Sequence, residues 1–382
     1  MYNIKKLNPI SSLVNETLTS DKYTIADEID NPVAILVRSF VMHDYALEDS
    51  VLAVARAGAG VNNIPIPQMT EKGVCVFNTP GANANAVKEL VICGLLLASR
   101  KIYPAINWVQ NLEKNDEVAK SVEKGKKAFI GPEIYGKTLG IVGLGAIGRL
   151  VSDAAIALGM NIIGYDPFLT DSAKKSLNPN VKITTNLDDI YASSDYITLH
   201  VPATGETKGM INAENIAKMK DGAVIINCAR GELFNDDDVI EAVKSGKLSR
   251  IVTDLPNAKL IGIENVITFP HLGASTPEAE DNCAVMAANE LKEYIENGNV
   301  INSVNFPNLK VTKQANRITV LASSETSVSY IEDLVKSNNI NVSAVNSSSR
   351  GNLTYVIIDT KDSIDNSLID LLNSKFIKAR AL

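Results

Sequence analysis

The sequence predicts an α/β protein: two units of alternating strand and helix, the second a doubly wound parallel sheet, followed by a small α+β segment. Three observations lead there. Short β-rich runs alternate with helix-compatible stretches from residue 23 to 80, a longer alternation starts at Thr138, and the last 70 or so residues change in character. A chain of 382 residues also exceeds one core and calls for two or three domains.

In the first unit the β-rich runs are residues 23–26, 33–38, 51–55 and 74–77. Between 83 and 102, Val87, Leu90, Val91, Leu95 and Ala98 recur at spacings of three and four, which predicts a long helix. Residues 103–135 become irregular and charged, with Lys114, Lys120, Lys124, Lys126 and Lys127, and read as a solvated arm. From Thr138 onward, strands are expected near 161–165, 181–185, 194–201, 222–227, 249–253 and 265–269, six strands of mostly parallel type. Ser275-Thr-Pro-Glu278 is a capping box with proline just inside the start. Ala279, Cys283, Met286, Ala287, Leu291 and Ile295 then follow at helical spacing, up to a stop at Asn297-Gly298. In the tail, β-rich runs at 317–321 and 353–359 flank a Ser/Asn cluster at 347–352. With helices at 327–337 and 364–372 the order is βαββα, with room for a final short strand.

Composition excludes several function classes. A formal net charge of −7 argues against a nucleic-acid or anionic-membrane binder, which needs a basic face. The longest apolar run, residues 90–98, is nine residues, well short of the roughly 20 that span a bilayer. No apolar leader follows Lys5 and Lys6, so a cytoplasmic location is expected. Cys75, Cys93, Cys228 and Cys283 lie far apart with no Cys-x-x-Cys pair, against a metal site or a disulfide framework. His43, His200 and His271 are the whole imidazole supply.

The segment Gly143-Leu-Gly145-Ala-Ile-Gly148 follows a strand and opens a helix, where glycines let a pyrophosphate approach backbone amides. The next strand ends in Asp166, 18 residues after Gly148, where a carboxylate would accept from an adenosine ribose and repel a 2'-phosphate. NAD is the expected cofactor. Two later buried strands end in chemistry: Asn227-Cys-Ala-Arg230-Gly231 and Phe269-Pro-His271. Ligands of open α/β sheets sit at such carboxyl ends. There Arg230 would offer a bidentate fork to a carboxylate and His271 a proton acceptor, the minimum apparatus for oxidising a 2-hydroxy acid. His200 also ends a strand and reads as packed or at the cofactor edge, whereas His43 has no motif around it.

Several motifs in order resemble one family: Arg56-Ala-Gly-Ala-Gly-Val-Asn-Asn63, Asn78-Thr-Pro80, the glycine segment, His200-Val-Pro202, Asn227-Cys-Ala-Arg-Gly231 and Pro270-His-Leu-Gly-Ala-Ser-Thr276. The chain is similar over about residues 33–306 to the D-isomer-specific 2-hydroxyacid dehydrogenases, within them most to the D-3-phosphoglycerate dehydrogenases. The resemblance implies a flavodoxin-like substrate domain, residues 1–98 and 280–306, interrupted by a Rossmann NAD domain, residues 99–279. Residues 312–382 resemble an ACT domain, for regulation or oligomerisation. It implies Arg230 and His271 as catalytic residues, and Arg56 against the substrate's phosphate with Ala57, Gly58 and Asn78 beside it. Thr79, Ala146, Ile147, Asp166, His200, Val201, Pro202, Thr207, Cys228, Ala229, Arg230, Asp254, His271 and Gly273 would contact the cofactor with Gly143, Gly145 and Gly148.

The implied reaction is oxidation of 3-phosphoglycerate to 3-phosphohydroxypyruvate, the first step of L-serine biosynthesis, in a homodimer or homotetramer reaching through residues 103–135. Glyoxylate, hydroxypyruvate or D-lactate chemistry, and an NAD(H)-sensing binding protein, are the alternatives. Two departures stand out. The family's Glu-Pro pair after the cofactor aspartate is missing from Val252-Thr-Asp254-Leu-Pro-Asn257, leaving no partner for His271, and neither Glu264 nor Glu278 is a clear replacement. Serine-binding tails use an Asn and a Pro-Gly turn where this chain has Ala322-Ser-Ser-Glu-Thr-Ser327.

Overall fold

Residues 1–382 are all described by the computed structural model and divide into two units, Met1–Asn83 with Pro277–Leu382, and Ala84–Thr276. The first unit starts with β1 (Tyr2–Lys6), α1 (Val14–Thr17), β2 (Tyr23–Ala26), β3 (Ala34–Val37), β4 (Ala53–Arg56), α2 (Ile66–Glu71) and β5 (Cys75–Asn78). The strands form a parallel sheet in the order β2-β1-β3-β4-β5. Every residue of β3 is buried, as a parallel strand covered on both faces requires. Strand β1 escaped the sequence reading because only Ile4 of its five residues is buried, so Tyr2-Asn-Ile-Lys-Lys6 carries no apolar pattern.

The second unit runs through α3 (Ala84–Ser99), α4 (Ile102–Gln110), α5 (Val118–Gly125), β6 (Thr138–Val142), α6 (Ala146–Ala157), β7 (Asn161–Tyr165), α7 (Asp171–Lys175) and β8 (Val181–Thr184). It continues with α8 (Leu187–Ser193), β9 (Tyr196–Leu199), α9 (Ala213–Ala217), β10 (Ala223–Asn227), α10 (Asp236–Lys244), β11 (Leu248–Thr253) and β12 (Val266–Thr268). Its sheet has the order β12-β11-β10-β9-β6-β7-β8 and every pairing is parallel. It has seven strands, not six, the addition being β6, which leads into the glycine segment. The strand order reverses between β6 and β9, which makes a topological switch point. Helix α3 packs here through Val87, Val91, Leu95 and Ala98 against a core that includes Ile226 and Val252. A Cβ on Gly94 would lie 2.9 Å from Val252 Cγ1, so glycine is what lets the helix approach the sheet. The units therefore divide ahead of α3, not after residue 98.

The arm is helical instead of irregular: α4 and α5 are followed by a 3₁₀ turn, Lys126–Phe129. Neither helix has a buried residue, so no burial periodicity marked them. Trp108 packs at a tilt against Phe129 with ring centroids 5.3 Å apart, and the five expected lysines are exposed.

The chain returns to the first unit with α11 (Pro277–Asn297), then β13 (Asn316–Ser323), α12 (Val328–Lys336), β14 (Val342–Arg350), β15 (Leu353–Thr360), α13 (Asn366–Asn373) and β16 (Lys378–Ala381). This βαββαβ tail, final strand included, forms an antiparallel sheet ordered β14-β15-β13-β16. One face packs on α12 and α13 through Ile318, Val320, Val356 and Ile358. The other sends Leu321, Leu353, Tyr355 and Ile357 into a core shared with Leu291 and Tyr294 of α11. Strand β15 is buried along its whole length, so the tail is built into this unit.

Candidate active site

In the second unit, six neighbouring strands from β7 to β12 bring their carboxyl ends, and the residues that follow, to one side of the sheet. Strand β6 runs into Gly143, whose φ of +96° lies in the left-handed region and whose Cβ would meet His200 O at 2.6 Å. Only glycine turns there. A Cβ on Gly148 would lie 2.0 Å from Gly143 O, whereas one on Gly145 would meet nothing within 4 Å. Helix α6 opens with Ala146 and Ile147 and has no side-chain cap, so its first amides are left for an anion to meet. Asp166 braces this turn: Oδ2 accepts from Leu144 N–H and Oδ1 from Phe168 N–H, both at 2.9 Å.

At the end of β9, His200 meets Thr198 Oγ1 through Nε2 at 3.0 Å, while its Nδ1 is buried without a partner. Burial pushes the imidazole down to about 3, so it is neutral at working pH. Val201 and Pro202 follow, and the Thr207 hydroxyl closes the loop by donating to Pro202 O at 2.5 Å.

Strand β10 ends at Asn227, which is fully buried. Its Oδ1 accepts from Ala229 N–H at 3.1 Å and Arg230 N–H at 3.3 Å, and its Nδ2 donates to Arg230 O at 2.8 Å. This turn throws Arg230 clear of the strand. The Arg230 side chain is exposed, donates from Nη1 to Ala229 O at 2.6 Å and has no carboxylate partner. The sequence reading took Asn227 only as part of a motif; its signal was an Asx residue with the arginine three positions on.

After β11, Asp254 is 1% exposed; its Oδ2 accepts from Gly273 N–H at 3.0 Å, and its Oδ1 is buried with no partner. The Cys228 thiol lies beside it and is held well above the usual thiol range, first by burial and then by that carboxylate. The Asp254 bond ties the loop after β12, and with it His271, to the ends of β10 and β11. His271 is exposed, its ring makes no hydrogen bond, and neither Glu264 nor any other carboxylate of this unit pairs with it.

In the first unit, Arg56 ends β4 and donates from Nε to Arg38 O at 2.9 Å and from Nη1 to Gly60 O. Ala57 is buried, and a Cβ on Gly58 would come within 3.0 Å of the Arg56 guanidinium. Asn78 donates from Nδ2 to Ala59 O at 2.5 Å and Thr79 N–H to Gly58 O at 3.2 Å, joining the loops after β4 and β5. His43 is exposed and meets Asn62 O, farther along the loop after β4.

A dinucleotide fits the second unit on two grounds: the glycine turn leaves uncapped helix amides, and the buried Asp254 Oδ1 lacks the donor that an amide N–H would supply. The family model described as "D-isomer specific 2-hydroxyacid dehydrogenase, NAD binding domain" matches residues 93–273. A hydroxypyruvate reductase of Thermotoga maritima is 41% identical over 236 residues, 59% of this chain and 72% of that one. The chain belongs to the D-isomer specific 2-hydroxyacid dehydrogenase family. The stretch matched to the NAD binding domain lies within the second unit, and NAD is its cofactor. Within the family the chain is similar to the D-3-phosphoglycerate dehydrogenases. That of Methanocaldococcus jannaschii is 38% identical over 271 residues, 69% of this chain and 49% of the relative. The chain spans about half the length of the curated relatives of that name. An NAD+-bound 3-phosphoglycerate dehydrogenase structure from Entamoeba histolytica superimposes with a TM-score of 0.61 at 26% identity, covering 80% of this chain and 98% of the other. No helix is long and apolar enough to cross a membrane.

Proposed function

We propose that this family member oxidises 3-phosphoglycerate at C2, giving 3-phosphohydroxypyruvate, NADH and a proton, the entry step to L-serine. One observation carries the chemistry: Arg230, held out by Asn227 with no carboxylate partner, follows a strand at the same carboxyl end of the sheet as His271 and the glycine turn. The glycine turn, Asp166 and Asp254 would hold NAD, which when bound accepts the hydride leaving C2. Arg230 would grip the substrate carboxylate with its planar fork and polarise the C2 oxygen. His271 would take the hydroxyl proton, and its exposure lets it pass that proton to water. His200, its basicity lowered by burial, is a poor proton acceptor and is left out of this step.

Arg56 is the residue we assign to the phosphate. The test compares kcat/KM for 3-phosphoglycerate and D-glycerate in the wild type and in Arg56→Ala. The wild type should prefer the phosphorylated acid and the variant should lose that preference, a change of about 1.5–3 kcal/mol in discrimination. Equal rates on both acids in the wild type would move the assignment to glyoxylate, hydroxypyruvate or D-lactate chemistry. The unpartnered His271 favours one second reading, an NAD(H)-sensing binding protein. That protein would bind NADH tightly and turn over no acid.

The tail's βαββαβ order resembles an ACT domain, and we assign it an oligomerising role, since the loop after β13 lacks the serine-binding Asn and Pro-Gly turn. In the arm, Ile102, Tyr103, Ile106 and Val109 of α4 are all exposed, and a second copy of this chain is the occupant we assign to them. Light scattering should give a mass of two or four times 41.1 kDa. Ile106→Glu should lower it, and a wild-type monomer would end the idea.

A further inference from the structure

Strand β5 closes one side of its sheet, yet its outer edge is not open. Residues 302–305 run along it as a strap. Val304 N–H donates to Val76 O at 2.9 Å, Asn305 Oδ1 accepts from Val76 N–H at 2.8 Å, and Asn305 Nδ2 donates to Val74 O at 2.9 Å. The Ser303 hydroxyl adds a bond to Val76 O at 3.0 Å, and Asn302 O accepts from Asn78 N–H at 3.5 Å. The strap thus stands in for a sixth strand just where β5 delivers Asn78 and Thr79.

Two side chains from other elements hold the strap. Glu290, on α11 and 3% exposed, accepts from Asn302 Nδ2 at 2.7 Å through Oε1, while Oε2 is buried without a partner. Arg350, the last residue of β14, donates from Nη1 to Ser303 O at 2.8 Å. Asn302 sits at φ +58°, in the left-handed region, so its conformation needs an anchor. Burial pushes the Glu290 carboxyl up to about 8, so it carries its proton at neutral pH. A buried carboxyl that makes a single bond is a poor choice for stability alone, because an apolar side chain of that size avoids the desolvation cost. What it does achieve is to hold Asn302.

We propose that Glu290 and Arg350 are positioning residues, which through Asn302 and Ser303 press the strap onto β5 and set where Asn78 and Thr79 stand. Arg350 also gives the β14–β15 hairpin of the tail a direct mechanical line to that loop. The consequence for activity rests on the dehydrogenase reading above; the consequence for β5 does not.

The test uses the full chain with Glu290→Leu, Asn302→Gly, Arg350→Ala and the conservative Glu290→Gln; glycine suits the φ at 302. Amide hydrogen exchange over residues 74–80 should speed up about 5–10-fold in the first three variants, with β3 unchanged and Glu290→Gln close to wild type. The KM for 3-phosphoglycerate should rise about 5–10-fold in the same three, with kcat within about twofold, and Glu290→Gln should restore it. Unchanged exchange at 74–80 in folded variants overturns the proposal. So does faster exchange with unchanged KM, which would leave the strap a purely structural clamp. If the wild type turns over no acid, the reading of function fails by itself. NADH affinity, expected to fall in the three variants through Thr79, then replaces KM in the same comparison. Should Glu290→Leu fail to fold, Asn302→Gly and Arg350→Ala decide the matter.

Discussion

Replacing His271 with alanine should lower kcat by about 10²–10⁴-fold, the usual contribution of a positioned acid–base group, while NADH binds with nearly unchanged affinity. The separation of the two effects follows from how the site is held. The backbone that carries His271 is fixed by the bond from Gly273 N–H to Asp254 and by the buried end of β11, neither of which involves the imidazole. The glycine turn and Asp166 lie on other strands and keep their own bonds. So the variant should lose a proton acceptor and little else. Steady-state rates, with fluorescence titration of NADH, measure both quantities on one preparation. Loss of NADH binding with turnover intact would remove His271 from the chemistry. Added imidazole should recover part of the rate, because the ring is exposed and no carboxylate fixes it in one orientation. That exposure also makes His271 more dependent on the substrate for alignment than a buried, carboxylate-paired histidine would be, so its contribution belongs to the lower part of the range.

Most of the second unit was legible in the sequence because its central strands are runs of mostly buried, mostly apolar residues that end in, or are followed by, a polar or glycine residue. Ala223-Val-Ile-Ile-Asn227 is buried throughout, and the residue that ends it organises the Arg230 turn. Elements escaped where burial left no trace. Strand β1 buries one residue, and α4 and α5 bury none, so neither period appeared. The strap was invisible for another reason. Its bonds join Asn305 to Val74 and Val76, residues about 230 positions apart, and a side-chain amide takes the place of a strand's backbone. Nothing local in Ser303-Val-Asn305 announces that pairing. Likewise the sequence shows Asp254 as an acid after a strand, but only packing reveals that one oxygen is spent on Gly273 and the other left without a donor.

The largest effect on stability is expected at Asp359. Its carboxylate forms a bidentate pair with Arg317, at 2.7 Å to Nε and 3.0 Å to Nη2, and the two side chains are 1% and 0% exposed. The same guanidinium donates to Asn297 O at 2.7 Å, Val311 O at 3.1 Å and Thr312 O at 3.1 Å, so it ties β13 to the end of α11 and to the segment between them. Asp359→Ala leaves that cation buried without its counter-charge, a change that costs about 3–5 kcal/mol. Arg317→Met with Asp359→Leu removes both charges and should recover only part of the loss, because three backbone carbonyls lose their donor. The sole tryptophan, Trp108, belongs to the second unit, so its fluorescence follows that unit while calorimetry registers both. Asp359→Ala should therefore shift the calorimetric transition of the first unit and leave the tryptophan transition nearly in place. A variant within about 1 kcal/mol of wild type would show that the guanidinium's carbonyl partners suffice, and that the carboxylate is not what joins the tail to α11.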